Sequence, residues 1–143
     1  MASKSQVCFF FENKNFTLKH RTLLKGFIGS IFKKEKKKLL LINYIFCSDK
    51  RLLEINRQFL NHDYYTDIIT FDLSENHFTQ AEIYISIDRV KENAKNLKTS
   101  FNSELYRVIF HGALHLCGYN DKRKNDISQM RAKEELYLLK YLN

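Results

Sequence analysis

Residues 111–121, which read HGALHLCGYND, constrain the fold of this chain more than any other stretch. His111 and His115 are four residues apart in an apolar segment with helical periodicity, so both imidazoles leave one face of a helix. Gly118 can end that helix in a left-handed turn, which brings Asp121 back toward the histidines. Two histidines and a carboxylate, with a fourth position open, are the ligand set of a catalytic zinc. We therefore predict one Zn²⁺ per chain, held by His111, His115 and Asp121.

Two other interpretations of this motif are open at the level of spacing. Zinc proteases share the histidine spacing, but their HExxH motif places a glutamate after the first histidine as the general base. Gly112 occupies that position here, so the usual proton acceptor of a peptidase is missing and a peptidase is disfavoured. The other interpretation is a helix with two half-buried histidines and a surface aspartate in its capping loop.

The chain is strongly basic, with 24 Lys and Arg residues against 16 Asp and Glu, a formal net charge of +8 and a pI of about 9.4. An excess of this size predicts a polyanionic partner such as a nucleic acid, without distinguishing RNA from DNA. Lys122 and Arg123 directly follow Asp121, and we predict that they bind substrate phosphates. The lysine-rich run at 33–38 lies at a predicted helix end, where lysines also complement the helix dipole without binding anything.

Length and cysteine content predict a single domain, 1–143, in a reducing compartment. A chain of 143 residues, 44% of them hydrophobic, is long enough to bury its own core. Its three cysteines are scattered and form no CxxC pair, which favours free thiols and a cytoplasmic location. We find no secretory signal, no apolar run of membrane-spanning length and no glycine-rich phosphate loop, so we expect neither a membrane partner nor a nucleotide cofactor.

The hydrophobic pattern predicts an α+β fold in which a small mixed sheet of about four strands packs with about five helices. Strands are predicted at 6–11, 39–47, 67–73 and 82–86, with the second strand central and buried. Helices are predicted at 18–37, from Ser48 or Asp49 through Phe59, at 87–97, from Ser100 to the two histidines, and from about 127 to 142. The fourth helix is apolar enough to be buried, which places the metal site at its end and in a cleft.

Three separated blocks of the sequence share a pattern with one known family. HGALHLCGYND is followed by Met130 and Glu134; residues 55–59 precede YYTDIITFDL at 64–73; and EIYISIDRVKENA fills 82–94. Together these blocks resemble the bacterial YbeY family of metal-dependent endoribonucleases and rRNA maturation factors. The resemblance implies a zinc-dependent endoribonuclease specific for single-stranded RNA, active in late small-subunit (16S) rRNA maturation and ribosome quality control. It also implies rRNA, and the ribosomal small subunit or its assembly factors, as partners.

The expected chemistry is attack on an RNA phosphodiester by water at the open metal position, where zinc lowers the pKa of water toward about 7. Asp67 is a candidate catalytic residue in the second block, and Glu82 is the other carboxylate considered as a general base. Arg57 is a second candidate catalytic residue, through a contact with the substrate phosphate. Met130 and Glu134 are predicted to be, respectively, a packing residue and a solvated or capping carboxylate.

The chain departs from the family pattern at three places. Asn120-Asp121 stands where the family commonly has Asp-His, Leu60 stands where it often has an arginine, and Ala81-Glu82 stands where a Gly-Asp pair is common. Aspartate is a legitimate zinc ligand, so the first change preserves a metal site. The missing arginine favours one alternative to a nuclease, a non-catalytic ribosome-assembly factor with a structural metal. A metallohydrolase acting on a substrate other than RNA is a second alternative.

Overall fold

The structure, a computed structural model, describes residues 5–143; residues 1–4 of the predicted domain lie outside the described part. Its elements, in chain order, are β1 (Gln6–Phe11), α1 (Arg21–Lys34), β2 (Lys38–Cys47), α2 (Asp49–Phe59), β3 (Ile68–Asp72), β4 (Phe78–Ser86), α3 (Ile87–Leu97), α4 (Phe101–Leu116) and α5 (Lys124–Leu142). The predicted order of strands and helices is thereby confirmed. Between residues 5 and 143, no helix has both the length and the apolar character needed to cross a bilayer.

The four strands form one mixed sheet in the order β1-β2-β4-β3. β1, β2 and β4 run parallel, and β3 runs antiparallel to β4. β2 is a central strand, and its Tyr44 and Phe46 are fully buried beneath the helices. The predicted α+β class, with four strands and five helices, is therefore confirmed. β3 lies at an edge of the sheet, which leaves its outer side free to border a cleft.

The predicted bounds of β4 and α1 differ from the structure for reasons of pairing and capping. β4 begins at Phe78 rather than at 82, because residues 78–81 pair with the first half of β2 although two of the four, Thr79 and Gln80, are polar. α1 is shorter at both ends than the predicted 18–37, since His20 and Lys36 both adopt left-handed backbone angles, with φ of 56° and 60°. Neither the pairing of β4 with β2 nor the two left-handed residues leave a clear local pattern in the sequence, so these bounds could not be predicted.

α4 is the buried helix that presents the predicted metal ligands. The Ser100 side chain caps its start by accepting a hydrogen bond from the Ser103 amide. Near its end, Gly112 lies so close to the sheet that an added Cβ would be 2.9 Å from the Ile68 side chain. Gly118 has a φ of 102°, and the Tyr119 amide donates back to the Leu114 carbonyl, so the helix ends in the predicted glycine turn.

Candidate metal centre

The end of α4 and the loop that follows it bring the three predicted ligands together. His111 and His115, one turn apart, have ring centroids separated by 4.7 Å. The Nε2 atoms of His111 and His115 lie 3.3 Å and 3.1 Å from the same Asp121 carboxylate oxygen. Potential ligand atoms of all three residues lie within 4.8 Å of one another. Folding of the loop after Gly118 thus produces the cluster that the sequence motif predicts.

The donor set and the two separations that involve Asp121 fit a tetrahedral divalent metal. Zinc bonds of about 2.0–2.1 Å to nitrogen and oxygen imply ligand–ligand separations of about 3.3 Å in a tetrahedron. The two nitrogen–oxygen distances to Asp121, 3.3 Å and 3.1 Å, are close to this value. Imidazole nitrogen suits zinc and other transition metals, whereas Mg²⁺ and Ca²⁺ prefer oxygen ligands throughout. The cluster therefore favours a metal of the zinc type over a hard cation.

A buried ionic network behind His111 fixes the orientation of its ring. Glu134 of α5 lies 2.6 Å from His111 Nδ1, and because a carboxylate can only accept, Nδ1 carries the proton and donates it. The other Glu134 oxygen accepts from Arg107, which also pairs with the buried Glu104. This arrangement directs His111 Nε2 at Asp121 and makes it the ring nitrogen that is available to ligate a metal.

The prediction that Glu134 is a solvated or capping carboxylate is wrong. Its side chain is only 3% exposed, and it joins α5 to α4 through His111 and Arg107. Burial raises the pKa of this carboxyl, but the hydrogen bonds from His111 and Arg107 outweigh that effect and hold its pKa below the ordinary value. A sequence signal was available: Glu134 follows the buried Met130 by four residues and precedes the buried Tyr137 and Leu138, which places it on the apolar face of α5. The predicted packing role of Met130 agrees with its burial.

The cluster opens into a cleft of about 420 Å³ beside the edge strand β3. Its floor and walls are formed by Thr66, Asp67, Ile68, Thr70, Asp72, Leu116 and the three ligands. Burial raises the pKa of the Asp67 carboxyl, and the charges of Arg107 and His111 offset only part of the rise. Asp67 also accepts a hydrogen bond from Asn93. A carboxyl with a raised pKa in such a cleft is a candidate for proton transfer.

The other predicted site residues lie farther out. Arg57 forms an ion pair with Asp63 on the exposed surface and is not among the residues that line the cleft. Lys122 and Arg123 are exposed in the loop between Asp121 and α5, next to the ligand cluster. Leu60 ends α2 and is 39% exposed.

Two further polar residues, His62 and Glu82, lie outside the cleft. His62 is not part of the ligand cluster and stacks on Tyr64 at an exposed position. Glu82 lies half-buried in β4 and does not line the cleft, which makes Asp67 the better placed of the two carboxylates considered as a general base.

Comparison with known proteins yields a consistent set of relatives. A family model described as endoribonuclease YbeY matches residues 9–142. The endoribonuclease YbeY of Cytophaga hutchinsonii is 50% identical over 94% of this chain and 96% of its own length. That of Parabacteroides distasonis is 42% identical over 90% of each chain. The solution structure of TM1509 from Thermotoga maritima superposes with a TM-score of 0.67 at 31% identity, covering 95% of this chain and 89% of the other.

Proposed function

Because this chain belongs to the endoribonuclease YbeY family, we propose that it is a zinc-dependent endoribonuclease that hydrolyses phosphodiesters of single-stranded RNA. The observation that carries the proposal is the ligand cluster of His111, His115 and Asp121, which opens into a cleft rather than being closed by a fourth side chain. Structural zinc sites are normally closed by four protein ligands, whereas catalytic sites keep one position open. A basic protein with an open metal site suits a phosphodiester substrate.

Each residue of the site has a role in the proposed hydrolysis. Zinc, when bound, supplies Lewis acidity that polarises a phosphoryl oxygen and makes water sufficiently acidic to react at neutral pH. Glu134 holds His111 in the tautomer that can ligate the metal through Nε2. Asp67 accepts the proton of the attacking water, and its raised pKa brings it closer to the working range of a general base. Lys122 and Arg123 bind the phosphates beside the metal, where their charges offset the charge of the substrate.

We also propose a role in maturation of small-subunit rRNA and in ribosome quality control, with ribosomal components as partners. The support for this role is family membership together with the basic composition of the chain.

A cytoplasmic location is supported by Cys8, Cys47 and Cys117, all of which are free thiols. Burial raises the pKa of Cys47 and Cys117 to about 12, so both remain unreactive core residues. We also propose that residues 1–143 form one domain.

One observation favours a second candidate function, that of a non-catalytic assembly factor whose metal only stabilises the fold. Leu60 stands where many family members have an arginine, and the nearest substitute, Arg57, is already paired with Asp63. The arginine of the family pattern is therefore missing at position 60, and Asp63 competes with a phosphate for Arg57. The open side of the ligand cluster and the raised pKa of Asp67 favour the enzyme.

The deciding experiment incubates zinc-loaded protein with end-labelled single-stranded rRNA, in parallel with chelator-treated protein and with three variants. His115→Ala should lose both the metal and cleavage. Asp67→Asn should retain the metal but lose cleavage by about a hundredfold or more, as expected for a general base. His62→Ala, which removes an exposed histidine outside the cluster, is the matched control and should cleave like the wild type.

Metal content is measured on each sample so that loss of the metal is separated from loss of catalysis. Cleavage that requires both metal and His115 would establish the nuclease. RNA that binds but stays intact in every sample would overturn the enzyme and favour the assembly factor. Metal-dependent cleavage that survives Asp67→Asn would retain the nuclease and remove Asp67 from its mechanism.

A further inference from the structure

A second depression adjoins the metal cleft and leads from it to the turn between α1 and β2. It encloses about 370 Å³ and shares Asp72 and Leu116 with the cleft as lining residues. Its remaining lining residues are Lys36, Lys37, Lys38, Ser74, His77, Phe78 and Thr79. The two depressions together form a groove that starts at the metal ligands and ends at three consecutive lysines, which we call the lysine turn (residues 36–38).

The lysine turn has a defined backbone conformation that ends α1. The Lys36 and Lys37 amides donate back to the Lys33 and Phe32 carbonyls, so the turn is the two-bond cap in which a glycine normally occupies the left-handed position. Lys36 has a φ of 60° and fills that position instead. A lysine there costs roughly 1 kcal/mol relative to glycine, as it does at Lys98, which ends α3 in the same conformation.

The turn is also held firmly against the rest of the molecule. Glu35, the residue before it, accepts hydrogen bonds from Tyr119, Tyr137 and Lys133. Tyr119 and Asp121 both belong to the loop between α4 and α5 (residues 117–123), which we call the metal loop. The Glu35 side chain therefore connects the lysine turn to the metal loop. Rigid presentation lowers the entropy cost of binding a ligand across both sites.

The charges of the turn are not neutralised within the described part of the chain. None of the ion pairs formed by residues 5–143 involves Lys36, Lys37 or Lys38. All three are exposed, and Asp72, at the junction with the metal cleft, is the only carboxylate that lines this part of the groove. A polyanion lying along the groove would find three cations at its far end.

An aromatic side chain accompanies these cations. Phe78 is 39% exposed and lines the groove, and the Lys38 ammonium lies 5.8 Å from the centre of its ring. Sites for single-stranded nucleic acid combine cationic side chains that follow the backbone with aromatic rings on which bases stack. The pairing of Lys38 with Phe78 has both components.

We propose that the lysine turn is a phosphate-binding subsite for the segment of single-stranded RNA that extends from the metal cleft, and that Phe78 stacks one of its bases. This inference rests on the proposed function, because it assumes that RNA occupies the cleft. It assigns a binding role to lysines whose sequence position alone is explained by the helix dipole. It also predicts that substrates long enough to reach the turn bind more tightly than short ones.

The test measures cleavage kinetics of the zinc-loaded protein on a short RNA of about four nucleotides, which fills only the cleft, and on one about three times longer. The test variant combines Lys36→Gln, Lys37→Gln and Lys38→Gln. The matched control combines Lys91→Gln, Lys95→Gln and Lys98→Gln on α3, where all three lysines are exposed. Lys98 also occupies a left-handed helix-end position, with a φ of 56°, so the control removes the same charge from a similar cap.

For the long RNA, the test variant should show a KM about tenfold higher than that of the wild type with kcat unchanged, and the control should show neither change. The slope of log(kcat/KM) against log salt should become shallower by about 2, because three phosphate contacts to a single strand are lost. For the short RNA, the test variant, the control and the wild type should be equal. A Phe78→Ala variant should raise KM for the long RNA alone.

Three other results would speak against the inference. Equal KM values for the test variant and the control on the long RNA would overturn the lysine-turn subsite while the nuclease stands. An equal loss on short and long RNA would overturn it as well, since the lysines would then act on the cleft itself. If the wild type cleaves neither RNA, the proposed function fails, and the subsite fails with it.

Discussion

His111 has a carboxylate on each side of its imidazole ring, Asp121 near Nε2 and Glu134 near Nδ1. The two carboxylates differ in role, because only Nε2 faces the candidate ligands His115 and Asp121, whereas Nδ1 faces Glu134. Glu134 is buried, and Arg107 holds its second oxygen, so it cannot turn toward the candidate ligand cluster without breaking an ion pair. A single side chain thus decides which ring nitrogen of His111 is available.

This arrangement predicts a specific effect of Glu134→Gln. Arg107 can only donate, so it will attract the amide oxygen of the new glutamine and leave the amide NH₂ facing His111 Nδ1. His111 must then accept at Nδ1 and carry its proton on Nε2, where it cannot ligate a metal. We expect zinc affinity to fall by about 10–100-fold, measured by competition with a chromogenic chelator.

Glu135→Gln is the control for that measurement, since Glu135 is the next residue along α5, carries the same charge and is exposed. Its zinc affinity should match that of the wild type. Circular dichroism of both variants verifies that α5 remains folded. An unchanged affinity in folded Glu134→Gln would show that the tautomer of His111 does not depend on Glu134.

At the scale of elements, the distance between α4 and the sheet determines where the two histidines lie relative to β3. Gly112 makes the close approach possible: an added Cβ would be 2.9 Å from Ile68 Cδ1 and 3.1 Å from Ile83 Cδ1. Ile83 is fully buried and has little room to move. The same contacts explain why this position holds no glutamate of the HExxH kind, whose Cβ would meet the sheet.

We therefore predict opposite effects of alanine at two helical glycines. Gly112→Ala gains up to about 1 kcal/mol of helix propensity but incurs an overpacking cost of about 1–3 kcal/mol, so it should destabilise by about 1 kcal/mol. Gly26→Ala in α1, where no atom lies within 4 Å of the added Cβ, should stabilise by about 0.5–1 kcal/mol. Urea denaturation measures both, and stabilisation by Gly112→Ala would show that α4 is not closely packed against β3.

The elements themselves could be predicted well because their signals are local. Ser100, the apolar periodicity of α4 and Gly118 together define a helix that begins and ends where the structure has it. The start of β4 could not be predicted, since residues 78–81 become a strand only by pairing with β2, about 40 positions earlier. For the same reason the sequence predicted the cluster of three candidate ligands but missed the buried position of Glu134, whose partner His111 lies 23 positions away on another helix.

At the scale of the whole molecule, Glu35 connects three parts of the chain that are far apart in sequence. Its carboxylate at the end of α1 accepts from Tyr119 in the metal loop and from Tyr137 and Lys133 of α5. Nothing local predicts this cluster, because the residues are 84 to 102 positions from Glu35. The fold class follows from periodicity, whereas the contacts that fix the metal loop to the fold depend on the complete tertiary structure.

The Glu35 cluster makes stability depend on pH in a defined direction. Burial raises the pKa of Glu35, but the hydrogen bonds from Tyr137, Tyr119 and Lys133 together bring its pKa below the ordinary value of 4.5. A carboxyl whose pKa is lower in the folded state stabilises the protein above the unfolded pKa and loses that contribution as pH falls through the folded pKa. Protonation of Glu35 should therefore weaken the connection of α1 to α5 and the metal loop in acid.

Glu35→Gln tests this dependence by chemical denaturation at two pH values. At a pH of about 7 the variant should be less stable than the wild type by about 2 kcal/mol, the scale of hydrogen bonds to a charged acceptor. At a pH of about 3 the difference should shrink, because the wild-type carboxyl is then increasingly protonated. Glu92→Gln, at an exposed site on α3, should differ from the wild type by less than about 0.5 kcal/mol at either pH. A difference between Glu35→Gln and the wild type that persists undiminished in acid would mean that the cluster acts through packing and not through the charge of Glu35.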